Sequence, residues 1–489
     1  TDPPGVFKCR GLTIYLPFHL DFSAFSDTPP VLPFTKMASP QPTINELAAK
    51  IGELSADFTK FLGDNKIPQP TLAADSVRSY SGLTSEAFLL RQRLIDTLKD
   101  LSYLVEGPSE SVFNFAHNYG PDGAAVNAIN YFDFWSAVPL NGDASYADIA
   151  KHVDLPEEVV HRLLEHAYTL RIFEETDPGK PLTTRVRHTS RSAAVAQNEG
   201  LHGLVFNIMN DAGPPMAFLP YALDKYQRGK KELKEDMSET AFGMWQRGEF
   251  SKGYKTSWEM MEEDGEGEKK GYRMRTFVKW MNYIKEIFQL EGMVRGAYDW
   301  GNAGNLSVVD LGGSGGHDSF VLAKSFPNLN ITVQDLPECQ SSFDKNIPEE
   351  LKGRVTFQPH SFFEPQTLQA DVYMIKLILH DWPDAESIKI IQGLTPALRP
   401  GSKVLLIDYV GKQGTVEESA AVAASMPRSI QQMGTSTDLR MMGLFGTKER
   451  HVDAWKDMFK RADERFEVTR LEAIPLSFFV IIEATWRGD

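Results

Sequence analysis

Two stretches combine residue types that can do chemistry. The first is Val309-Asp310-Leu311-Gly312-Gly313-Ser314-Gly315-Gly316-His317. An acid precedes a run of glycines, and glycine lets a backbone approach a ligand without a Cβ clash. Asp310 can accept a hydrogen bond from a ligand ammonium group, with Gly312, Gly313 and Gly316 shaping the turn. After the next apolar run comes Val333-Gln334-Asp335-Leu336-Pro337. An acid at the end of a second strand can take both hydroxyls of a ribose. The glycines follow the pattern Asp-x-Gly-Gly-x-x-Gly, not the Gly-x-Gly-x-x-Gly of dinucleotide sites. The acid ahead of them would repel a pyrophosphate. A nucleoside with a cationic sulfonium and no phosphate fits better, and the two acids together argue against a plain tight turn.

The second stretch is Met374-Ile375-Lys376-Leu377-Ile378-Leu379-His380-Asp381-Trp382-Pro383-Asp384. His380 follows a predicted parallel strand, where open α/β sheets take their ligands. A histidine there can serve as a general base near neutral pH. A lone histidine more often caps a helix or fills a core, but its position and the Trp-Pro that follows favour function. Asp408, at the end of the next strand, and Glu449, in Gly446-Thr447-Lys448-Glu449-Arg450, are candidates to orient the ring. Lys376 brings a cation four residues upstream of His380.

These residues need a scaffold, and the pattern supplies one. Strand candidates at 307–311, 331–335, 355–358, 372–378 and 403–408 alternate with amphipathic segments, the signature of a parallel α/β sheet. Two final strands, 466–474 and 477–485, are joined by one turn. The reading is an α/β fold, a doubly wound Rossmann-like sheet with a terminal antiparallel hairpin, over 301–489. A helical connector, 196–300, precedes it, and its acidic run Glu262–Glu268 reads as a solvated loop. Residues 109–195 read as small helices and a hairpin, the order of a winged helix, with one helix over Asn130–Trp135. Residues 37–108 hold two helices. The first carries an apolar stripe, Ile44, Leu47, Ile51 and Leu54, that lacks a partner in its own segment and predicts a homodimer. Gly107-Pro108 stops the second. Residues 1–36 read as an extension or flexible arm without a catalytic role.

Composition bounds the function. The 489 residues carry a formal net charge of −15, which disfavours nucleic acid as a partner. No apolar run approaches the length of a membrane span. Two cysteines and no secretory signal suggest a reducing, cytoplasmic setting.

With these motifs in view, the sequence resembles the plant and fungal small-molecule O-methyltransferases of the caffeic-acid type. The resemblance spans about Arg91 to Trp486 and rests on Val309–Gly313, Leu379–Asp384, Asp438-Leu439-Arg440-Met441-Met442 and Lys448-Glu449-Arg450. It implies a class I methyltransferase fold, S-adenosylmethionine as cofactor and a dimer through the N-terminal region. It also implies His380 as base, Asp408 and Glu449 as its holders and Asp335 on the ribose. Two departures stand out. Ser314 replaces a glycine, and Ser361, before Phe362, replaces the family's adenine-contacting acid. With Lys376 and Val452, the Ser361 departure makes the chain look most similar to the O-methyltransferase-like pericyclases of fungal pyridone-alkaloid pathways. That implies dehydration of a pyridone alcohol to a quinone methide, then an Alder-ene or hetero-Diels–Alder closure. Lys376 would polarise a carbonyl there, and Val452, Met442 and Asp381 would shape the substrate. The alternative is methyl transfer to a phenolic or polyketide hydroxyl.

Overall fold

The computed structural model describes residues 41–80, 83–180, 183–248, 251–287, 290–411, 426–473 and 478–488, with the backbone of Val6–Cys9 and Leu12–Tyr15. Those two short strands pair antiparallel, where a flexible arm was expected. The rest of the 1–36 extension lies outside the described residues.

Helix α1 (Ile44–Asp64) starts at a capping box. Glu46 N donates to the Thr43 hydroxyl at 3.3 Å, and Thr43 N donates back to the Glu46 carboxylate at 2.7 Å. Leu47, Leu54, Phe58 and Leu62 are buried, and α1 packs on α2 (Ser85–Glu106). Of the stripe expected to face a second subunit, Leu47 and Leu54 are thus covered within the chain, while Ile44 stays 47% exposed. Gly107, at φ 80°, ends α2, and Pro108 opens α3 (Pro108–Tyr131), a long helix where small ones were expected. Asp133, at φ 53°, then breaks the chain. This splits the predicted Asn130–Trp135 helix, and a single turn restarts at Phe134. Left open is an apolar face on α2 and α3, with Val105, Val112, Phe113, Phe115 and Tyr119 all exposed.

Helices α4 (Tyr146–Val153) and α5 (Glu157–Thr169) follow. A three-stranded sheet is formed by Asp143–Ala144, Val186–Arg187 and Glu174–Glu175, the last two being the hairpin that follows these helices. In the connector, the acidic run is not wholly solvated. Asp264 is buried and accepts from Lys252 Nζ and Arg273 Nε, each at 2.6 Å.

The catalytic half is a seven-stranded sheet. Its strands are β1 (Leu306–Leu311), β2 (Leu329–Asp335), β3 (Val355–Pro359), β4 (Val372–Lys376), β5 (Lys403–Tyr409), β6 (Phe466–Ala473) and β7 (Phe479–Trp486). Their spatial order is β6-β7-β5-β4-β1-β2-β3. Strands β1 to β5 run parallel, and β7 lies antiparallel between β5 and β6. This is the doubly wound sheet with a closing hairpin. Val372 to Ile375 and Val404 to Ile407 are buried without alternation, as expected of a sheet covered on both faces. Strand order reverses between β1 and β4, which opens a crevice at their carboxyl ends. Both motif stretches end there. Helix α6 (Tyr272–Ile287) from the connector and helix α7 (His317–Ser325) after β1 flank this end of the sheet.

The turn that carries His380 is held from below. Leu379 N donates to Asp408 Oδ2 at 3.0 Å. Arg450 donates to the Leu379 carbonyl at 2.8 Å, the Trp382 carbonyl at 2.6 Å and Asp384 Oδ1 at 2.7 Å. Its guanidinium also lies 4.9 Å from the Trp455 ring centroid. Replacing Arg450 with Met removes three charge-assisted bonds at once, although Ser387 and Thr447 still donate to the carbonyls and Arg461 still faces Asp384. Urea unfolding of Arg450→Met is expected to show a loss of about 3 kcal/mol or more.

Candidate active site

The loop after β1 needs its glycines. Gly312 sits at φ 73° and Gly316 at φ 81°. A Cβ on Gly312 would lie 2.7 Å from Ile378 Cδ1, and one on Gly313 would lie 2.6 Å from Asp310 Oδ2. Ser314, where the family pattern has glycine, adopts φ 50°, the left-handed region that side chains disfavour. Its amide explains the tolerance, because Ser314 N donates to Asp335 Oδ2 at 2.8 Å. Asp335 Oδ1 accepts from Leu336 N at 2.7 Å. Each carboxylate oxygen has a second lone pair, so the acid at the end of β2 retains capacity for ribose hydroxyls. Phe362 reaches the same loop, its Cε1 being 3.9 Å from a Cβ built on Gly312. Ser361 turns inward to its own loop, its hydroxyl accepting from Phe363 N at 3.3 Å.

Asp310 departs from expectation. It is buried beneath the loop, and its Oδ2 accepts from Ser319 Oγ at 2.7 Å. Burial, with Asp318 nearby, pushes its carboxyl up to about 7. It supports the loop from within, where an exposed acceptor for a ligand ammonium was expected.

His380 is buried at the carboxyl end of β4. Its Nδ1 lies 3.2 Å from Glu449 Oε1, and its Nε2 lies 3.6 Å from Asp381 Oδ1. The Tyr409 ring lies against it, centroids 4.9 Å apart. Burial works against a charge on the imidazole. The carboxylates of Asp381, Glu449 and Asp408 outweigh burial and push its pKa up. Burial in turn raises Asp381, and His380 opposes that rise. Glu449 is thus the acid that contacts the ring directly. Asp408 does not bond it; its oxygens accept instead from the amides of Leu379 and Tyr409. Asp408 positions the turn, while Asp381 faces the outer nitrogen.

Three further expectations change. Lys376 donates to Asp318 Oδ2 at 2.5 Å, with side chains only 6% and 14% exposed, so this ammonium is already engaged. Val452 opens α8 (Val452–Ala462) and packs into the sheet core with Trp455 and Met458, not onto an open wall. Met442 lines a crevice with Leu219, Leu223 and Thr447 on the connector side. Asp318 and Tyr409 were missed from sequence. Asp318 gave one signal, an acid in the first turn after the glycine loop. Tyr409 gave none beyond following Asp408.

The comparisons then decide the family. An O-methyltransferase lcsG from Purpureocillium lilacinum is 42% identical over 448 residues, covering 91% of this chain and 94% of that one. The O-methyltransferase domain profile matches residues 245–463. The chain belongs to the O-methyltransferase family. Among solved structures, a pericyclic reaction enzyme superposes with TM-score 0.64 at 18% identity, over 90% of this chain and 100% of that one. OxaC in complex with S-adenosylhomocysteine and oxaline gives TM-score 0.67 at 17% identity, over 91% and 99%. These likenesses show the class I methyltransferase fold. The family's cofactor is S-adenosylmethionine, and the glycine loop and Asp335 fit its nucleoside. It supplies an electrophilic methyl group. Among the described residues, no cluster of acids, histidines or cysteines could hold a metal ion, and no helix is long and apolar enough to cross a membrane.

If Asp335 takes the ribose of the cofactor, Asp335→Ala should weaken S-adenosylhomocysteine binding about tenfold or more in calorimetry. Unchanged affinity would remove Asp335 from the site.

Proposed function

We propose that the chain transfers a methyl group from S-adenosylmethionine to a phenolic or polyketide hydroxyl of a small molecule. The observation that carries this reading is the bracketed His380. Glu449 fixes Nδ1, which leaves Nε2 as the nitrogen that can take a hydroxyl proton. Removing that proton turns a weak nucleophile into an oxyanion as the methyl is transferred. The long, well-covered match to a relative named as an O-methyltransferase supports the same reading.

The pericyclase reading stands second. Two residues that favoured it, Lys376 and Val452, are engaged with Asp318 and with the core. One observation still favours it. An imidazole between two carboxylates prefers its cationic form, and a cation can donate the proton that a leaving hydroxyl of a pyridone alcohol needs. Incubation with methyl-labelled cofactor and either a phenolic polyketide or a pyridone alcohol separates the two. Methyl transfer gives a labelled product heavier by one methylene unit. A product lighter by one water, unlabelled, would replace it with dehydration and cyclisation.

We also place a homodimer on the exposed α2–α3 face, where Phe115 is 74% exposed. Light scattering should give twice the chain mass, and F113E/F115E should give a monomer.

The raised His380 sets a pH dependence. Only neutral imidazole accepts a proton, so kcat/KM for methyl transfer should climb as pH rises through the His380 pKa. Asp381→Asn removes one of the charges that hold the proton, and the rising limb should move down by about 1 pH unit or more. A limb that stays in place would remove Asp381 from the proton balance. A rate that falls with rising pH would favour the donor role instead.

A further inference from the structure

One charged cluster at the sheet's carboxyl edge has no part in the chemistry at His380. Asp318 sits in the first turn of α7, directly after the glycine loop. Its Oδ2 is taken by Lys376, the last residue of β4. Its Oδ1 is buried and has no hydrogen-bond partner among the described residues. A buried carboxylate oxygen without a donor is costly, which marks it as waiting for one. Lys285, near the end of α6, stands within electrostatic reach of Asp318, Lys376 and Asp310. Burial pushes its ammonium pKa down, and Asp318 opposes this. The cluster therefore offers one unmet acceptor beside two cations.

The cofactor's sulfur carries three arms. The nucleoside arm belongs at Asp335 and the glycine loop, and the reacting methyl belongs beside His380. The remaining arm is an amino acid, with one ammonium and one carboxylate. We propose that Asp318 and Lys285 receive this arm, Asp318 Oδ1 accepting from the α-ammonium and Lys285 pairing with the α-carboxylate. The Lys376 bond then has a positioning role: it fixes the Asp318 carboxylate so that Oδ1 stays available. A zwitterion is neutral overall, so its arrival satisfies both signs without adding net charge to a buried cluster. Lys285 also belongs to the connector, so the same contact would tie the connector to the loaded cofactor. The proposal rests on the cofactor reading and adds the side chains that recognise its amino-acid end.

Calorimetry with two ligands tests it. S-Adenosylhomocysteine carries the amino-acid arm, and 5′-methylthioadenosine has the same nucleoside thioether without it. Asp318→Asn and Lys285→Met should each weaken S-adenosylhomocysteine about tenfold or more. Both should leave methylthioadenosine within about twofold of wild type, which also shows that the variants are folded. Asp335→Ala should weaken both ligands. Equal losses for the two ligands in Asp318→Asn and Lys285→Met, or no loss for either, would overturn the proposal and leave the cofactor reading intact. Wild-type protein that binds neither ligand would overturn both.

Discussion

Arg450 has no side-chain exposure to solvent, and the turn bearing His380 is built around it. A guanidinium carries five donors in a fixed plane. Here they meet the carbonyls of Leu379 and Trp382 and the carboxylate of Asp384. Those carbonyls belong to a tight turn that no sheet ladder can satisfy. Asp408 supplies the complementary acceptor for the Leu379 amide. The turn is thus clamped from both polarities, and His380 takes its direction from a backbone with little freedom. Glu449, the next residue before Arg450 in sequence, reaches Nδ1 of the same histidine. One short segment therefore both builds the turn and orients the ring.

The clamp lets the site hold more negative charge than positive. Around one imidazole stand Glu449, Asp381 and Asp408 in a buried environment where screening is weak. Without the clamp, these carboxylates would relieve their repulsion by moving apart. Held in place, they favour a cation among them. That field suits a cationic sulfonium as well as an imidazolium, and it disfavours a phosphate-bearing cofactor.

The sequence disclosed the frame well because the frame is periodic. The five parallel strands, the closing hairpin and the glycine turn follow from apolar runs and from backbone that must pass through positive φ. The places of His380 and Asp335 were also legible, since motif and strand end coincide there, and Glu449 was legible from its motif alone. Pairings across the chain were not. Asp381, and not Asp408, faces the ring because the direction of a side chain after a strand depends on the turn, and that turn depends on Arg450, far along the sequence. Lys376 looked available because its partner, Asp318, lies on a different element. Asp264 looked solvated because its neighbours are acidic, yet Arg273 and Lys252 fold back onto it. Burial works against its charge, but those two cations outweigh burial and keep the carboxyl well below its usual range. The α1 stripe was read as an interface because its partner, α2, follows a linker that carries no pattern.

Asp264 also knits the connector together. Arg273 bridges it to Asp211, which Asn207 holds in turn at 2.8 Å. This buried set ties α6 to the irregular helical stretch around Asn207–Ala212. Beside it, Trp258 packs on Phe445, ring centroids 5.2 Å apart, and Ala212, Met260 and Met441 share the same apolar cluster. Phe445 and Met441 lead directly into the Gly446–Arg450 segment. The connector's wall and the residues that orient His380 are therefore packed as one piece. The apolar cluster of the connector thereby braces the segment that carries Glu449.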